Sequence, residues 1–160
     1  MKSLKFKCSI DRDVIEKFKL RNMDERQFDF YMMLYLNSPD GWSQYGYSFE
    51  PSEHNAHIVI KLSSQSTIRD KCGFHEKLSC AEVGGRFVYL NSDRWFHGSE
   101  ESGLSLEDYR QYMVSHEIGH ILGYGHEKCP CVGCDAPIMM QQTKGIGKCI
   151  PNIKVKPNNK

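Results

Sequence analysis

Nowhere in these 160 residues does an apolar run approach the roughly 18 residues that a membrane-crossing helix needs, so no segment reads as a membrane span. A surplus of one charge is missing too. Lys and Arg number 21 against 20 Asp and Glu, and the basic excess that marks nucleic-acid and membrane-surface proteins is absent. The first residues, MKSLKFKCSIDRDVIEKF, carry lysines with no continuous apolar stretch behind them. No signal peptide is therefore expected, and the chain is read as staying inside a cell or particle unless it has been trimmed. There is no internal repeat, low-complexity tract or linker. That leaves one domain over residues 1–160, with 153–160 expected to fray.

Cysteine, by contrast, is plentiful: Cys8, Cys72, Cys80, Cys129, Cys131, Cys134 and Cys149. An odd count leaves at least one thiol without an intrachain partner. Two readings compete. Local disulfides such as Cys72–Cys80 and Cys129–Cys149 would staple loops and suit an oxidising compartment or a secreted protein. Alternatively, Cys129, Cys131 and Cys134 form a thiol cluster, free or holding a structural metal with Cys149 or Glu127 as the fourth group. Spacing alone does not choose between them.

The periodicity gives a partial element order. Lys5 to Ile10 alternates as a strand. Met23 to Asn37 carries Phe28, Tyr31, Met32, Leu34, Tyr35 and Leu36 in a helical stripe, stopped by Ser38-Pro39-Asp40-Gly41, with Trp42 packed under its end. Ser48 to Glu50, His57 to Leu62 and Arg86 to Asn91 read as strands, the last following a Gly84-Gly85 turn. Ser63 to Val83 reads as loop. The clearest helix runs from Ser105, a capping residue with Asp108 three places on, to Gly123, which suits the position just past a helix end. The chain beyond Gly123 is rich in Gly, Pro and Cys and reads as irregular. The layout is α+β.

The decisive segment is His116-Glu117-Ile118-Gly119-His120-Ile121-Leu122-Gly123-Tyr124-Gly125-His126. His116 and His120 stand one helical turn apart, so both imidazoles project from one face toward one point. A catalytic zinc needs a third protein ligand and an open position. Gly123 lets the chain turn sharply out of the helix, and His126 can swing back to supply that ligand. Glu117 then faces the open side, placed to take a proton from a zinc-bound water. These five fixed positions would coincide by chance in a chain this long on the order of once in 10⁵. His54, His57, His75 and His97 lack ligand spacing and read as surface or hydrogen-bonded residues.

The pattern HExxHxxGxxH is that of the metzincin zinc peptidases. Ala136 to Thr143, APIMMQQT, resembles the methionine turn that metzincins place beneath the metal, with Met139 as the turn methionine and Met140 as the alternative. The chain resembles still more closely an uncharacterised bacterial metzincin-like family, a domain of unknown function. The shared landmarks are LSLEDYRQYMVSHEIGHILGYGH, Cys129-Pro130, APIMMQQTKGI and Cys149, with Cys72, Leu78-Ser79-Cys80 and VYLNSDRW upstream. They span about Lys5 to Pro151.

That resemblance implies a mixed twisted sheet above an active-site helix, with a small irregular C-terminal subdomain below. It implies one catalytic Zn²⁺ held by His116, His120 and His126, and peptide-bond hydrolysis with Glu117 as base. Family cysteines correspond to Cys72, Cys80, Cys129 and Cys149, which favours the two disulfides named above and leaves Cys8, Cys131 and Cys134 as additions. Metzincins pair an extended peptide with an edge strand, and Arg86 to Asn91 is the candidate here. Where some metzincins place a metal-approaching tyrosine this chain has Gln141, so no such ligand is expected; Tyr124 is expected to border the cleft. A monomer acting on peptide or protein, without nucleic acid or membrane, is the resulting expectation. The alternatives are a zinc-binding recognition module without turnover and a zinc hydrolase of a non-peptide amide or ester.

Overall fold

The computed structural model describes residues 2–73 and 76–156; His75 and residues 157–160 lie outside the described residues. Five strands form one sheet: β1 (Lys2–Ile10), β2 (Tyr47–Pro51), β3 (Ile58–Ser63), β4 (Cys80–Ala81) and β5 (Phe87–Asn91). Their spatial order is β2-β1-β3-β5-β4. β1 runs parallel to β2 and β3, and β3 parallel to β5. Only β4 is antiparallel, pairing Cys80 with Tyr89 and Ala81 with Val88.

Alternation places Leu4, Phe6 and Ile10 of β1, Ile58, Ile60 and Leu62 of β3, and Val88 and Leu90 of β5 in one buried cluster. Two long helices close it. α2 (Asn22–Leu36) contributes Phe28, Met32, Tyr35 and Leu36, and α5 (Leu106–Ile121) contributes Tyr109, Tyr112, Met113 and Ile118. α2 lies against β1, α5 against β5 and β4, and the two helices touch each other. The shorter helices are α1 (Arg12–Phe18), α3 (Gln65–Cys72) and α4 (Ser92–His97). α1 and α2 connect β1 to its parallel neighbour β2, and α3 lies between parallel β3 and β5; parallel strands require crossovers of this kind.

Several expectations hold. Ser105 caps α5 through its side chain, which accepts from the Asp108 amide at 3.2 Å. Gly123 follows the helix end with φ +105°, a conformation natural to glycine. Residues 122–156 contain only one short 3₁₀ turn, Gln142–Lys144, so the C-terminal part is irregular as read. Cys72–Cys80 and Cys129–Cys149 are disulfides, Cys8 is free, and His57 is hydrogen-bonded, its Nδ1 accepting from the Lys5 amide at 2.9 Å.

Other expectations need correction. Ser63 to Val83 is not all loop, since it holds α3, capped by Ser64, and β4. Cys131 and Cys134, an open question in the sequence, are joined as a third disulfide. Of the tail expected to fray, residues 153–156 are anchored: Val155 is fully buried, its amide donates to the Asp40 carbonyl at 2.8 Å, and its own carbonyl accepts from Gln44. Finally, the strand at Arg86 to Asn91 is not an edge. β5 has β3 on one side and β4 on the other, and the Asn91 amide donates to Ser79 Oγ at 2.8 Å. The edge on that side belongs to β4, and the opposite edge to β2.

Candidate metal centre

The site is built from the last two turns of α5 and the irregular segment after it. His116 and His120 sit on the inward face of the helix, with ring centroids 4.9 Å apart. His126 returns from the loop so that its ring lies 5.3 Å from that of His116 and 4.7 Å from that of His120. The Nε2 atoms of His120 and His126 are 3.2 Å apart, and one ligand nitrogen from each of the three residues lies within 4.8 Å of the others.

Backbone carbonyls fix the two helical rings. His116 Nδ1 faces the Ile138 carbonyl and His120 Nδ1 the Tyr124 carbonyl, each at 2.8 Å. A carbonyl only accepts, so each Nδ1 carries the proton and each Nε2 offers a lone pair inward. Burial keeps these imidazoles neutral. It pulls the His116 pKa down to about 3, against a smaller upward pull from the Ile138 carbonyl. It also lowers His120, and lowers His126 with further help from His120 and the Lys144 charge. Three neutral imidazoles converging beside an open cavity are a donor set that fits zinc.

Glu117 is 3% exposed and reaches the same cavity, where burial raises its pKa to about 8. The cavity, of about 360 Å³, has the three histidines and Glu117 on one wall, with Tyr109, Tyr112, Met113, Leu78, Ala81 and Val83 among its other lining residues. β4 thus borders the cavity, whereas β5 does not.

Beneath the helix lies Met139, fully buried, with its thioether against Gly119 between the two helical histidines. Met140 is only partly buried. Trp42 flanks the same glycine; its indole N–H donates to the Ser115 carbonyl at 2.8 Å. It is therefore packed under α5 rather than only under the end of α2. Tyr124, expected at the cleft border, stacks on Trp42 at 4.9 Å and is not among the residues lining the cavity.

A family described as a protein of unknown function, DUF3152, matches residues 14–158. The chain belongs to this family. No curated protein matches it in sequence. Among solved structures, the chain is similar to archaemetzincin from Archaeoglobus fulgidus, crystallised with malonate. That likeness has 16% identity and a TM-score of 0.42, and covers 93% of this chain and 96% of the other. At such distance, function has to be read from this chain's own side chains.

Sequence reasoning missed three contributors. Tyr112, one turn before His116, donates to the Met140 carbonyl at 2.7 Å and accepts from the Gln142 amide at 2.8 Å. It thereby ties the helix to the methionine-bearing segment, and its four-residue spacing from His116 was the available signal. Gln142, fully buried, uses its side chain to bridge Pro137 and Asn152. Lys144 reaches the cavity from the 3₁₀ turn, which no local pattern marks.

Proposed function

We propose that the protein is a zinc-dependent peptidase, with the metal held by His116, His120 and His126 and with Glu117 as general base. The observation that carries this reading is the joint placement of three neutral imidazoles and one buried carboxyl at the wall of a single open cavity. The chemistry that a bound zinc ion supplies is Lewis acidity, toward both a water molecule and the scissile carbonyl.

The chain's own residues do the rest. Ile138 and Tyr124 hold the helical imidazoles with their Nε2 atoms inward. Glu117 needs to be ionised to accept a proton, and a cation held beside it favours that form against the burial that raises its pKa. As base it takes a proton from water, and as acid it returns that proton to the leaving amine nitrogen. The free edge of β4 runs along the cavity and offers backbone groups to an extended peptide, in place of the strand at 86–91. Met139 forms an apolar floor beneath the helix.

The test pairs metal content with cleavage of a mixed peptide library, in wild type and Glu117→Ala. Both proteins are expected to retain one equivalent of zinc, with cleavage falling by about 10²–10⁴ in the variant. Equal cleavage by the two proteins would refute the assignment.

A further inference from the structure

The cavity beside the histidines carries one Lys or Arg among its described lining residues, Lys144, and that cation is paired with an acid that lines the same cavity. Lys144 belongs to the 3₁₀ turn that comes after the Met139 segment, and Glu76 to the segment leading into β4. Their Nζ and Oε1 atoms are 3.8 Å apart, with the side chains 49% and 60% exposed. An ion pair this long and this wet is weak. A ligand carboxylate can therefore take over the ammonium group. Next to Lys144, Thr143 also lines the cavity, its hydroxyl hydrogen-bonded to that of Tyr109 at 2.7 Å. The walls below are apolar and aromatic, from Leu78, Tyr109, Tyr112 and Met113, and suit the stem of one side chain. Lys144 and the three histidines line the same cavity.

We propose that Lys144 is a specificity determinant that holds a carboxylate of the bound peptide beside the scissile bond, displacing Glu76 as it does so. This inference rests on the peptidase reading for the identity of the ligand as a peptide. The carboxylate can come from an Asp or Glu side chain or from the peptide's own C-terminus. Among the described lining residues the other ionisable groups are Glu76, Glu117, the three histidines and the two tyrosines, so Lys144 is the fixed cation among them.

Binding is measured first, in the Glu117→Ala background so that nothing is cut, with the protein metal-free and then zinc-supplemented. The probes are matched peptides carrying Glu or Gln at one varied position, each with a free or an amidated C-terminus. The acidic or free-acid member is expected to bind about tenfold tighter than its neutral twin, as befits one charge-assisted hydrogen bond. The free-versus-amide arms identify which carboxylate is used. Lys144→Ala should erase the preference, Lys144→Glu should transfer it to Lys-bearing peptides, and Glu76→Gln should strengthen it. Equal binding of the twins, or a preference that survives in Lys144→Ala, overturns the proposal. Wild-type cleavage of the same peptides separates this inference from the one beneath it. Lys144-dependent binding with no cleavage defeats the peptidase reading alone, whereas cleavage indifferent to acid defeats the Lys144 assignment alone.

Discussion

Replacing Gly119 by alanine asks how tightly the histidine-bearing helix is seated on its floor. In an exposed helix interior the change would stabilise by about 1 kcal/mol, because alanine is the better helix former. Here an added Cβ would collide with the Met139 sulfur, lie 2.9 Å from Trp42 Cζ2 and 3.1 Å from Met139 Cε. The methionine is fully buried, so its flexible end has little room to retreat. The indole is pinned by its bond to the Ser115 carbonyl and by its stack on Tyr124. Overpacking of this kind costs about 1–3 kcal/mol. With two neighbours obstructed the upper part of that range applies, and after the propensity gain a net loss of about 1–2 kcal/mol remains.

For a domain of this size each kcal/mol moves the melting temperature by about 2–4 °C, so a fall of about 2–8 °C is expected. Thermal unfolding followed by circular dichroism, with disulfides intact, reads it. A second variant isolates the cause. Met139→Ala alone should cost about 2–5 kcal/mol through the void it leaves. Combined with Gly119→Ala it should cost less than the sum, because the new methyl group occupies that space, with a coupling of about 0.5–3 kcal/mol. A Gly119→Ala protein that melts higher than wild type, or a strictly additive double variant, would refute the packing argument.

Tyr112→Phe removes the donor to the Met140 carbonyl and one of two acceptors of the Gln142 amide, which still donates to the Met140 carbonyl; a loss of about 1 kcal/mol is expected in chemical denaturation, with weaker zinc binding by titration. Metal-free protein should show opposing pH effects. His116 is held near 3 against an ordinary value of 6.5, so the unfolded chain takes up its proton first and stability drops as pH falls through that window. Glu117 is held near 8 against 4.5, so the folded chain keeps its proton longer and stability drops as pH rises through that window. Denaturant midpoints in chelator should therefore be highest between these ordinary values, and Glu117→Gln should remove the decline on the alkaline side; an unchanged alkaline limb would contradict the assignment. Removing Cys129–Cys149, whose partners are 20 residues apart, should cost about 3 kcal/mol and weaken metal binding, whereas removing Cys131–Cys134, with a separation of 3, should cost less by the same thermal assay.

What could be read from the sequence was whatever is set by local spacing. The i, i+4 histidines, the cap at Ser105 and the turn at Gly123 are all decided within a few residues of themselves, and the structure brings the three histidines and Glu117 together. The alternation of β3 is equally local. By contrast β4 is two residues long and exists only because Cys80 and Ala81 find Tyr89 and Val88. Strand periodicity in Arg86 to Asn91 marks a strand but holds no information on its neighbours, so it cannot distinguish an interior strand from an edge. α1, α3 and α4 each bury only one or two side chains and show no stripe to detect. Val155 looks like any residue of a polar tail until Asp40 and Gln44 supply its partners.

The irregular C-terminal segment is therefore as much a part of the three-histidine site as the helix that carries the motif. α5 delivers two imidazoles, but the carbonyls that choose their tautomers come from Ile138 and Tyr124, both beyond the helix. The third imidazole is positioned by the same segment, since the Glu127 amide next to His126 donates to the Met139 carbonyl at 3.0 Å. Tyr112 and Gln142 tie that segment back to the helix and on to Asn152. An isolated α5 peptide would have the right spacing but neither oriented nitrogens nor a third ligand. Under the proposed zinc reading, metal affinity and the folding of residues 122–156 would be one coupled quantity, with the disulfides and buried amide network of this region acting through the backbone carbonyls that orient the imidazoles.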